Sequence, residues 1–561
     1  MLQLFPYSSL FQSMMFREDV QKSDCEAIRK VFGIVITRVR NKYKFNRIVG
    51  EEMELNQHIC TQLEENARVF TQITLDDDYI VRDNKPDALR IIYTKGEVIL
   101  EDTRAGNQVV WVTGKLRFSA LYQSDDENHR LESVTDEIPF QEKLVMDEAK
   151  DGDEVSVNVQ IEDLSAGIIN SRKLAVRAVL NISVAGREKE DTVITCMMPE
   201  INAWRQKGKR YPLMCLKEAK KDILRIQKEM LLPNSKSNIG EIIFYQINFR
   251  NEEVLLQDSR IQVQMDAQLW ILYRSETTGD YECYETIVPI SSSMECERLS
   301  GDEIFWAKIR PLETEVEPRG DYDGESRMFG MELLLSADVQ IYREEECEVL
   351  EDAYSLHSEL VFEREQIPWN QLLVKNSSKI RLLEQHQIEP KQEKILQICG
   401  SSGNITIDHV EKRENGIQVE GILNVHILYN TTDDHMPFAH AGCQIPFAQF
   451  IEIANFSEHA IVWMEGKVEQ LQVNLLDNTE YEVKASLQIE ILAFVRNTIS
   501  NIVHVEELPL NIEALQKQPG MIGYIRKEGE DLWDIAKKYH ATAENIMEMG
   551  DKVLIVKQVH G

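Results

Sequence analysis

The stretch Val112-Thr-Gly-Lys-Leu-Arg-Phe-Ser-Ala-Leu-Tyr122 alternates between two kinds of side chain along most of its length. Leu116 and Phe118 fall on one face, whereas Lys115 and Arg117 fall on the other. A period of two residues is typical of a β-strand with one buried side and one side that faces solvent. The stretch therefore predicts a strand whose even-numbered residues contribute to a hydrophobic core.

The same pattern occurs twice more, over residues 263–273 and 419–429. Each copy ends in a Leu-Tyr pair, so the three tyrosines are Tyr122, Tyr273 and Tyr429. A proline between two apolar residues follows the tyrosine by 17, 16 and 17 residues in the three copies. Unrelated strands would not share this spacing, so the chain contains an internal repeat.

A second alternating stretch follows each first one, around Ala178, Ala337 and Ala485. These alanines lie 56, 64 and 56 residues after the repeated tyrosine. Their alignment assigns eight additional residues to the loops of the middle copy, where insertions cost little free energy. Leu180 points to the same face as Ala178, and we expect it to be fully buried.

Length and charge limit the class of protein. A chain of 561 residues is too long for one hydrophobic core, and 43% hydrophobic with 28% charged residues is typical of soluble globular proteins. No apolar run is long enough to span a bilayer, and the apolar residues 1–11 lack the basic start and the cleavage site of a secretory signal. The formal net charge of −33 opposes binding to nucleic acid and to anionic lipid.

The sequence contains few candidates for catalytic or metal-binding residues. Its nine cysteines are an odd number without a Cys-x-x-Cys pair, which predicts free thiols in a reducing compartment. His435, His440 and Cys443 lie close in sequence, but a fourth ligand is not evident, so we expect no metal site there. Nucleophile elbows, phosphate-binding glycine loops and His-Glu-x-x-His motifs do not occur. The sequence therefore predicts a protein that is not an enzyme and that uses no cofactor, although an enzyme with catalytic residues distant in sequence stays an open alternative.

Changes in composition divide the chain into domains. The predicted segments are an N-terminal extension at 1–52, β modules at 53–198, 235–350 and 378–500, connectors at 199–234 and 351–377, a linker at 501–519 and a terminal domain at 520–561. The extension carries a basic run in an acidic chain, and Met53 is an alternative start of translation. Leu213 to Leu232, rich in Lys, Glu and Leu and followed by Pro233, predicts a helix. The predicted fold is mainly β, with three tandem antiparallel β-sandwich-like modules and helical connectors.

In the terminal domain the spacing of the apolar residues differs from that in the β modules. A strand at Tyr524, a turn at Gly529 and a helix with the apolar residues 532, 535, 536 and 539 on one stripe are predicted in this order. Thr542 is placed to cap a second helix from Ala543 to Met549, and residues 552–556 predict a closing strand. The expected domain is a small α+β unit of the order strand, helix, helix, strand.

Residues 524–556 resemble a LysM domain, whose motif combines a Tyr, a Gly-Asp-Thr-Leu turn, a Trp, an Ile-Ala pair and a Lys-Tyr pair. Asp531 replaces the usual Thr or Ser, and the stretch before the last strand is shortened. In the family both places line the groove that binds N-acetylglucosamine polymers. We therefore expect a protein partner rather than a glycan, and we expect a basic patch formed by Arg526, Lys527, Lys537 and Lys538 to attract an acidic one. The residues predicted to contact the partner are Tyr524, Gly529, Glu530, Asp531, Leu532, Trp533 and Ile546.

The order of the motifs is similar to that of one family. An acidic segment at 75–87, the repeated Leu-Tyr and Ile-Pro-Phe units and a terminal LysM-like domain resemble the SPOCS-domain spore proteins of the SipL type. The resemblance implies a non-enzymatic scaffold in the mother-cell cytoplasm, at the forespore surface and in the spore coat. It also implies that the LysM-like domain contacts SpoIVA, the ATPase of the coat basement, and that other coat proteins are partners. The alternative is a cell-wall-associated protein that binds peptidoglycan, against which the missing signal and the altered LysM positions count.

Overall fold

The computed structural model describes residues 55–127, 129–198, 204–433, 435–511, 517 and 519–556. The predicted extension at 1–52 lies outside the described residues. Two compact units are present. We call residues Asn56–Ala353 with Glu363–His504 the repeat unit, and the described part of Tyr354–Phe362 with Val505–Gly561 the terminal unit.

The repeat unit consists of three modules, each built from six antiparallel strands. In each module the second, third and fourth strands form one three-stranded sheet. The first, sixth and fifth strands form another, with the sixth strand in its centre. Module 1 comprises β1 (Gln57–Ile80), β2 (Ala88–Gly106), β3 (Val109–Ser124), β4 (Leu131–Val145), β5 (Glu154–Asn170) and β6 (Lys173–Thr195). Module 2 comprises β7 (Trp204–Leu231), β8 (Ile239–Gln257), β9 (Arg260–Ser275), β10 (Tyr281–Glu295), β11 (Ile304–Arg319) and β12 (Met328–Ser355). Module 3 comprises β13 (Ser358–Gln387), β14 (Ile395–Arg413), β15 (Gly416–Thr431), β16 (Phe438–Glu452), β17 (Ala460–Leu475) and β18 (Glu480–Pro509).

The alternating stretches form the cores of the modules. In module 1, Leu116 and Phe118 of β3 and Leu174 and Leu180 of β6 belong to one cluster of buried side chains, and each is at most 2% exposed. The corresponding strands build the cores of modules 2 and 3. Full burial of each large apolar side chain contributes about 1.5–3 kcal/mol to the free energy of folding. Burial of the apolar side chains of these alternating stretches is therefore the main source of stability.

The three repeated tyrosines occupy equivalent positions, as the sequence predicts. Tyr122, Tyr273 and Tyr429 are fully buried, and each hydroxyl donates a hydrogen bond to a backbone oxygen 36 residues earlier in the chain, at 3.1 Å. A buried phenol needs such an acceptor, because an unpaired hydroxyl would lose its hydration without compensation. Burial raises the pKa of all three hydroxyls, that of Tyr429 to about 12. Each tyrosine, which belongs to the third strand of its module, thus binds the backbone of the turn that precedes the second strand.

The alignment of the second stretch is wrong by four residues in the middle copy. A β-bulge interrupts the fifth strand of each module opposite the same place in the sixth, which is marked by Leu180, Leu335 and Leu487. The residue equivalent to Ala178 is therefore Leu333 and not Ala337. A shift by an even number of residues keeps every side chain on its face of the sheet, so alternation alone could not detect this error. The extra residues of module 2 lie in the long loop between β11 and β12.

The helical connectors predicted from the sequence are wrong. The segment that begins at Leu213 is part of strand β7, and most of the connector predicted at 351–377 is part of strand β13. Both strands pair with the central strand of their own module, β12 and β18 respectively. Helix propensities differ by only a few tenths of a kcal/mol among Lys, Glu and Leu, and the pairing of two long strands overrides them.

Apolar clusters join the three modules to one another. Leu121, Leu272 and Leu428, each directly before the repeated tyrosine, share one such cluster with Trp270. Backbone and side-chain hydrogen bonds accompany them, for example from the backbone N–H of Leu131 to the hydroxyl of Tyr281 at 2.8 Å. Others run from Asn248 to Ser401 O at 3.2 Å and from Arg90 to Phe438 O at 3.1 Å. Every module therefore contacts both of the others.

The terminal unit contains a small α+β domain. Its elements are β19 (Met521–Ile525), α1 (Leu532–Tyr539), a 3₁₀ turn (Ala543–Asn545), β20 (Ile546–Met549) and β21 (Lys552–Val556), with the sheet order β19-β21-β20. The first strand, the first helix and the last strand lie where the sequence predicts them. The second helix is wrong, because a single 3₁₀ turn is followed by a strand. The Thr542 hydroxyl caps nothing and has no hydrogen-bond partner among the described residues. A search of the described residues for helices with the length and hydropathy of a membrane span finds none.

Candidate interaction site

Tyr524, Gly529 and Glu530 meet in one turn. Gly529 adopts a φ of +82°, which strains any residue with a Cβ, and this conformation lets the chain turn back toward β19. Glu530 accepts a hydrogen bond from the Tyr524 hydroxyl at 2.9 Å and another from the backbone N–H of Lys527 at 3.1 Å. The bond to Lys527 lowers the pKa of Glu530, and the bond to Glu530 raises the pKa of Tyr524. These three predicted site residues therefore fix the loop between β19 and α1.

Asp531 and Leu532 begin helix α1. The Asp531 carboxylate accepts the backbone N–H of Asp534 at 2.9 Å, and the Asp534 carboxylate accepts the backbone N–H of Asp531 at 3.1 Å. This reciprocal arrangement is a capping box, which stabilises a helix by about 1 kcal/mol. The carboxylate that replaces the LysM hydroxyl thus has a structural role as N-cap. Leu532 is half-buried behind it.

Trp533 packs against a strand segment of the same unit. Its ring lies edge-on to Tyr354, with ring centroids 5.0 Å apart. The Tyr354 hydroxyl donates to the backbone oxygen of Ala541 at 2.9 Å, and the His540 Nδ1 lies 2.9 Å from the backbone oxygen of Ser355. Residues Tyr354–Phe362 therefore dock onto the side of the domain to which Trp533 belongs. Ile546, the last predicted contact residue, packs against the small core formed by Ile535, Ala541, Val553 and Ile555.

The predicted basic patch is partly engaged within the terminal unit. Arg526 pairs with Glu548 at 2.9 Å. Lys538 lies 4.7 Å from the centre of the Tyr524 ring, and Lys537 lies 5.3 Å from the centre of the Phe362 ring. Ion pairing and cation–π contacts reduce the field that these groups project into solvent. Three of the four side chains thus have a partner within the terminal unit.

The sequence analysis missed the outer face of the terminal sheet. Met521 and Ile525 of β19 and Met547 and Met549 of β20 are exposed by 66%, 70%, 54% and 62%. The register places Leu554 of β21 opposite both Gly523 and Met547, and places the exposed Lys552 opposite both Ile525 and Met549. A group of exposed apolar side chains on a small domain marks an interaction site more often than a fold requirement. We call these four residues the methionine face; its signal was hidden because residues 546–549 were assigned to a helix.

Two of the three possible ligands that lie close in sequence, His440 and Cys443, are not brought together. His440 and Cys443 lie on opposite faces of β16, so Cys443 packs on the module core while His440 points to a neighbouring module. His440 stacks on Tyr93 of module 1 at 4.8 Å between ring centres, and its Nε2 lies 3.1 Å from the Nδ1 of His426. Burial, and next the neighbouring imidazole, lowers the pKa of His440 to about 4. The pair is therefore neutral in the folded protein near neutral pH.

This pair predicts a loss of stability in weak acid. The folded-state pKa of His440 lies below its ordinary value of 6.5, so the unfolded chain binds the proton more tightly. The contribution is fully present above pH 6.5 and is lost as pH falls toward about 4. We expect His440→Gln to flatten the fall of the urea midpoint between pH 6.5 and 4.5, whereas a matched change at the exposed His459 leaves it unchanged. Equal pH dependence of the parent and His440→Gln would contradict this assignment.

A polar cavity of about 1010 Å³ lies between the modules. Its lining includes Lys95 of module 1 and Lys308 and Arg310 of module 2. Burial lowers the pKa of Lys95 and Lys308, the latter to about 8. The carboxylates of Glu97 and Asp338 line the same space, so the mixed charges select no class of ligand. We assign no function to this cavity.

Two cysteines are joined by a disulfide, Cys60–Cys215, so the prediction of free thiols is wrong for this pair. The sequence could not reveal it, because the partners are 155 residues apart. His58, Cys215 and Glu345 approach within 4.8 Å of one another. A metal would require a thiolate at Cys215. The disulfide consumes that sulfur, so this trio is not a metal centre in the oxidised protein.

Comparison with known families gives one match. Residues 87–169 and 394–476 match the family model described as SipL, SPOCS domain. No curated protein and no solved structure matches the chain. The two matched segments occupy the same strands of modules 1 and 3, from the second to the fifth, and module 2 repeats this arrangement in β8 to β11. The chain therefore contains SPOCS domains like that of SipL, which relate it to sporulation.

Proposed function

We propose that this protein is a non-enzymatic scaffold of spore-envelope assembly whose terminal domain binds a partner protein. The match to the SPOCS domain supports a role in sporulation. The observation that carries the proposal is the methionine face, which exposes four large apolar side chains on one small domain. By resemblance to the SipL type, the partner is the coat-basement ATPase SpoIVA, and the site of action is the forespore surface in the mother-cell cytoplasm. Other coat proteins would attach to the repeat unit.

The packing between modules supports the scaffold part of the proposal. Each module contributes buried side chains to shared clusters, such as Leu121, Leu272 and Leu428. A second shared cluster contains Trp306 and Trp463, with the Arg187 guanidinium 5.3 Å from the Trp463 ring centre. Such interfaces exclude water and oppose relative motion of the modules. A rigid body of three modules suits a scaffold that holds other proteins at fixed distances from one another.

The terminal domain favours a protein over a glycan as its ligand. A pyranose requires hydrogen-bond donors and acceptors placed along a groove. Asp531 is engaged in capping α1, and Trp533 packs against Tyr354. Methionines, by contrast, adapt their unbranched side chains to an irregular apolar surface of a protein. We therefore place the contact on the methionine face rather than beside Trp533.

The double variant Met547→Glu/Met549→Glu is expected to weaken capture of the partner by at least about tenfold. Two carboxylates in the centre of an apolar interface lose hydration without gaining partners. Both side chains lie outside the domain core, so the domain should keep its fold, which hydrogen exchange of the peptides from residues 520–556 can verify. The measurement is affinity capture of purified SpoIVA by the full-length protein. A matched control is Leu231→Glu/Leu383→Glu, two equally exposed apolar residues of the repeat unit.

Further variants separate the proposal from its alternative. Deletion of residues 520–561 is expected to abolish capture while the repeat unit stays folded. Wild-type capture by the double glutamate variant would move the contact away from the methionine face. Retention of the wild-type protein on purified peptidoglycan at physiological salt, with no binding of SpoIVA, would favour the cell-wall alternative. Asp531→Thr is not expected to create peptidoglycan binding.

A further inference from the structure

Two pairs of cysteines lie side by side where module 1 meets module 2. The first pair is the disulfide between Cys60 of β1 and Cys215 of β7. The second pair is Cys196, directly after β6, and Cys347 of β12, whose sulfurs lie 3.1 Å apart. Cys60, Cys215 and Cys347 belong to one buried cluster, against which Cys196 packs. Modules 1 and 2 are therefore already linked once by a covalent bond, beside a second pair of thiols.

The backbone holds the second pair in place. Cys196 forms an isolated antiparallel bridge with Val349, two residues after Cys347. A disulfide needs its sulfurs about 2.05 Å apart, so the two sulfurs have to approach each other by about 1 Å more to form the bond. Cys196 is half-buried and reachable from solvent, whereas Cys347 is buried.

The two thiols have different roles in an exchange reaction. The side-chain contact with Cys347 lowers the pKa of Cys196 to about 7. The same contact raises the pKa of Cys347. A substantial share of Cys196 is thus a thiolate near neutral pH, and the thiolate is the species that attacks a disulfide. The accessible thiol is also the nucleophilic one.

We propose that Cys196 and Cys347 form a covalent modification site, at which a small-molecule disulfide closes a second cross-link between modules 1 and 2. The Cys196 thiolate attacks one sulfur of the small disulfide, which breaks and releases one small thiolate. Cys347 then loses its proton to solvent and attacks the Cys196 sulfur, and the second small thiolate leaves. Two protein thiols are oxidised by two electrons, and one small disulfide is reduced to two thiols. No further oxidant is needed.

The cross-link would enclose a long segment. Cys196 and Cys347 are 151 residues apart, so the bond restricts a large part of module 2 in the unfolded chain. Cross-links of long loops stabilise most in the chain-entropy description. We expect oxidation to raise the midpoint of thermal unfolding by about 5 to 10 °C relative to a Cys347→Ser variant treated in the same way.

The test uses the full-length protein, first reduced and then treated with oxidised glutathione at pH 7.5. Peptide mapping is expected to recover a cross-linked peptide that contains Cys196 and Cys347. In Cys347→Ser the same treatment should leave one glutathione on Cys196, because the thiol that resolves the mixed disulfide is missing. In Cys196→Ser position 347 should stay unmodified in the folded protein. Cys296→Ser, which removes a half-buried cysteine far from this pair in sequence, is the matched control.

Three results would overturn the proposal. The first is a failure to form the cross-link under conditions in which both thiols react with an alkylating agent after unfolding. The second is scrambled pairing of Cys196 with Cys60 or Cys215 in the refolded native protein. The third is one equivalent of zinc in the reduced protein that protects all four thiols, which would make the cluster a metal site.

Discussion

Leu180→Ala is expected to lower the free energy of unfolding of module 1 by about 2–5 kcal/mol. Leu180 is fully buried in the core between the two sheets, and its loss removes apolar contacts and leaves a cavity. The equivalent changes at Leu335 and Leu487 should cost similar amounts, because each residue lies at the same β-bulge of its own module. Urea unfolding followed by hydrogen exchange can assign the loss to one module. This is the largest single effect that we expect from truncation of a core side chain.

The control for this experiment is Val145→Ala. Val145 ends β4 and is 66% exposed, so its truncation should change the stability by less than about 0.5 kcal/mol. A Leu180→Ala protein that unfolds at the parent urea midpoint would show that the second alternating stretch does not face the core. Equal losses at both positions would indicate a general effect on expression or solubility rather than burial.

Gly421→Ala is expected to destabilise module 3 by about 1–3 kcal/mol. A Cβ at this position would lie 2.4 Å from the backbone oxygen of Thr406 and 2.8 Å from the ring of Phe447. The ring can rotate, but the carbonyl belongs to the paired strand β14, which would have to move away. Gly114 of module 1 is similarly enclosed by the backbone oxygen of Ile99 and the ring of Phe140. Gly167→Ala is the matched control, since a Cβ at Gly167 meets no atom within 4 Å.

The packing of module 2 indicates how a larger side chain at position 421 of module 3 could be accommodated. Its residues at the corresponding pair are Met265 and Ile290, where module 3 has Gly421 and Phe447. Module 2 thus divides the side-chain volume between the two strands, whereas in module 3 the whole of it lies on β16. We expect Gly421→Met/Phe447→Ile to lose less stability than the sum of its single changes, by about 0.5–3 kcal/mol in a double-mutant cycle. Additive losses would mean that the two positions do not share one packing space.

The repeat could be predicted from the sequence because it rests on local patterns. Alternation over a whole strand and a tyrosine at a fixed spacing need no knowledge of distant partners, and the buried Tyr122, Tyr273 and Tyr429 confirm that prediction. The alignment of Ala337 failed because alternation has a period of two and tolerates even shifts. Only the β-bulge opposite Leu335, a tertiary feature, fixes the register.

The helical connectors were predicted wrongly for a different reason. Leu213 to Leu232 has the composition of a helix, and only the presence of β12 makes a strand of it. The first helix of the terminal domain was predicted correctly, but the sequence did not reveal that Tyr354 contacts Trp533 or that Asp531 caps the helix. The methionine face depends on a third strand that the sequence did not predict. The strand β7 and the contact of Trp533 are set by partners distant in sequence.

The pairing of the first strand of each module with the last has a consequence for synthesis on the ribosome. Gln57 pairs with Thr195, so β1 cannot pair with β6 until nearly the whole module has been synthesised. At ordinary rates of translation this synthesis takes roughly 10 to 30 seconds. Pairs so distant in sequence form slowly, and during this time β1 exposes an unpaired edge. The central strands β12 and β18 of the other modules could pair with an unpaired β1 in the same way as β6 does. Chains with tandem repeats are prone to such incorrect pairing between modules. Because β6 leaves the ribosome before β12, the direction of synthesis itself gives β1 its correct partner first.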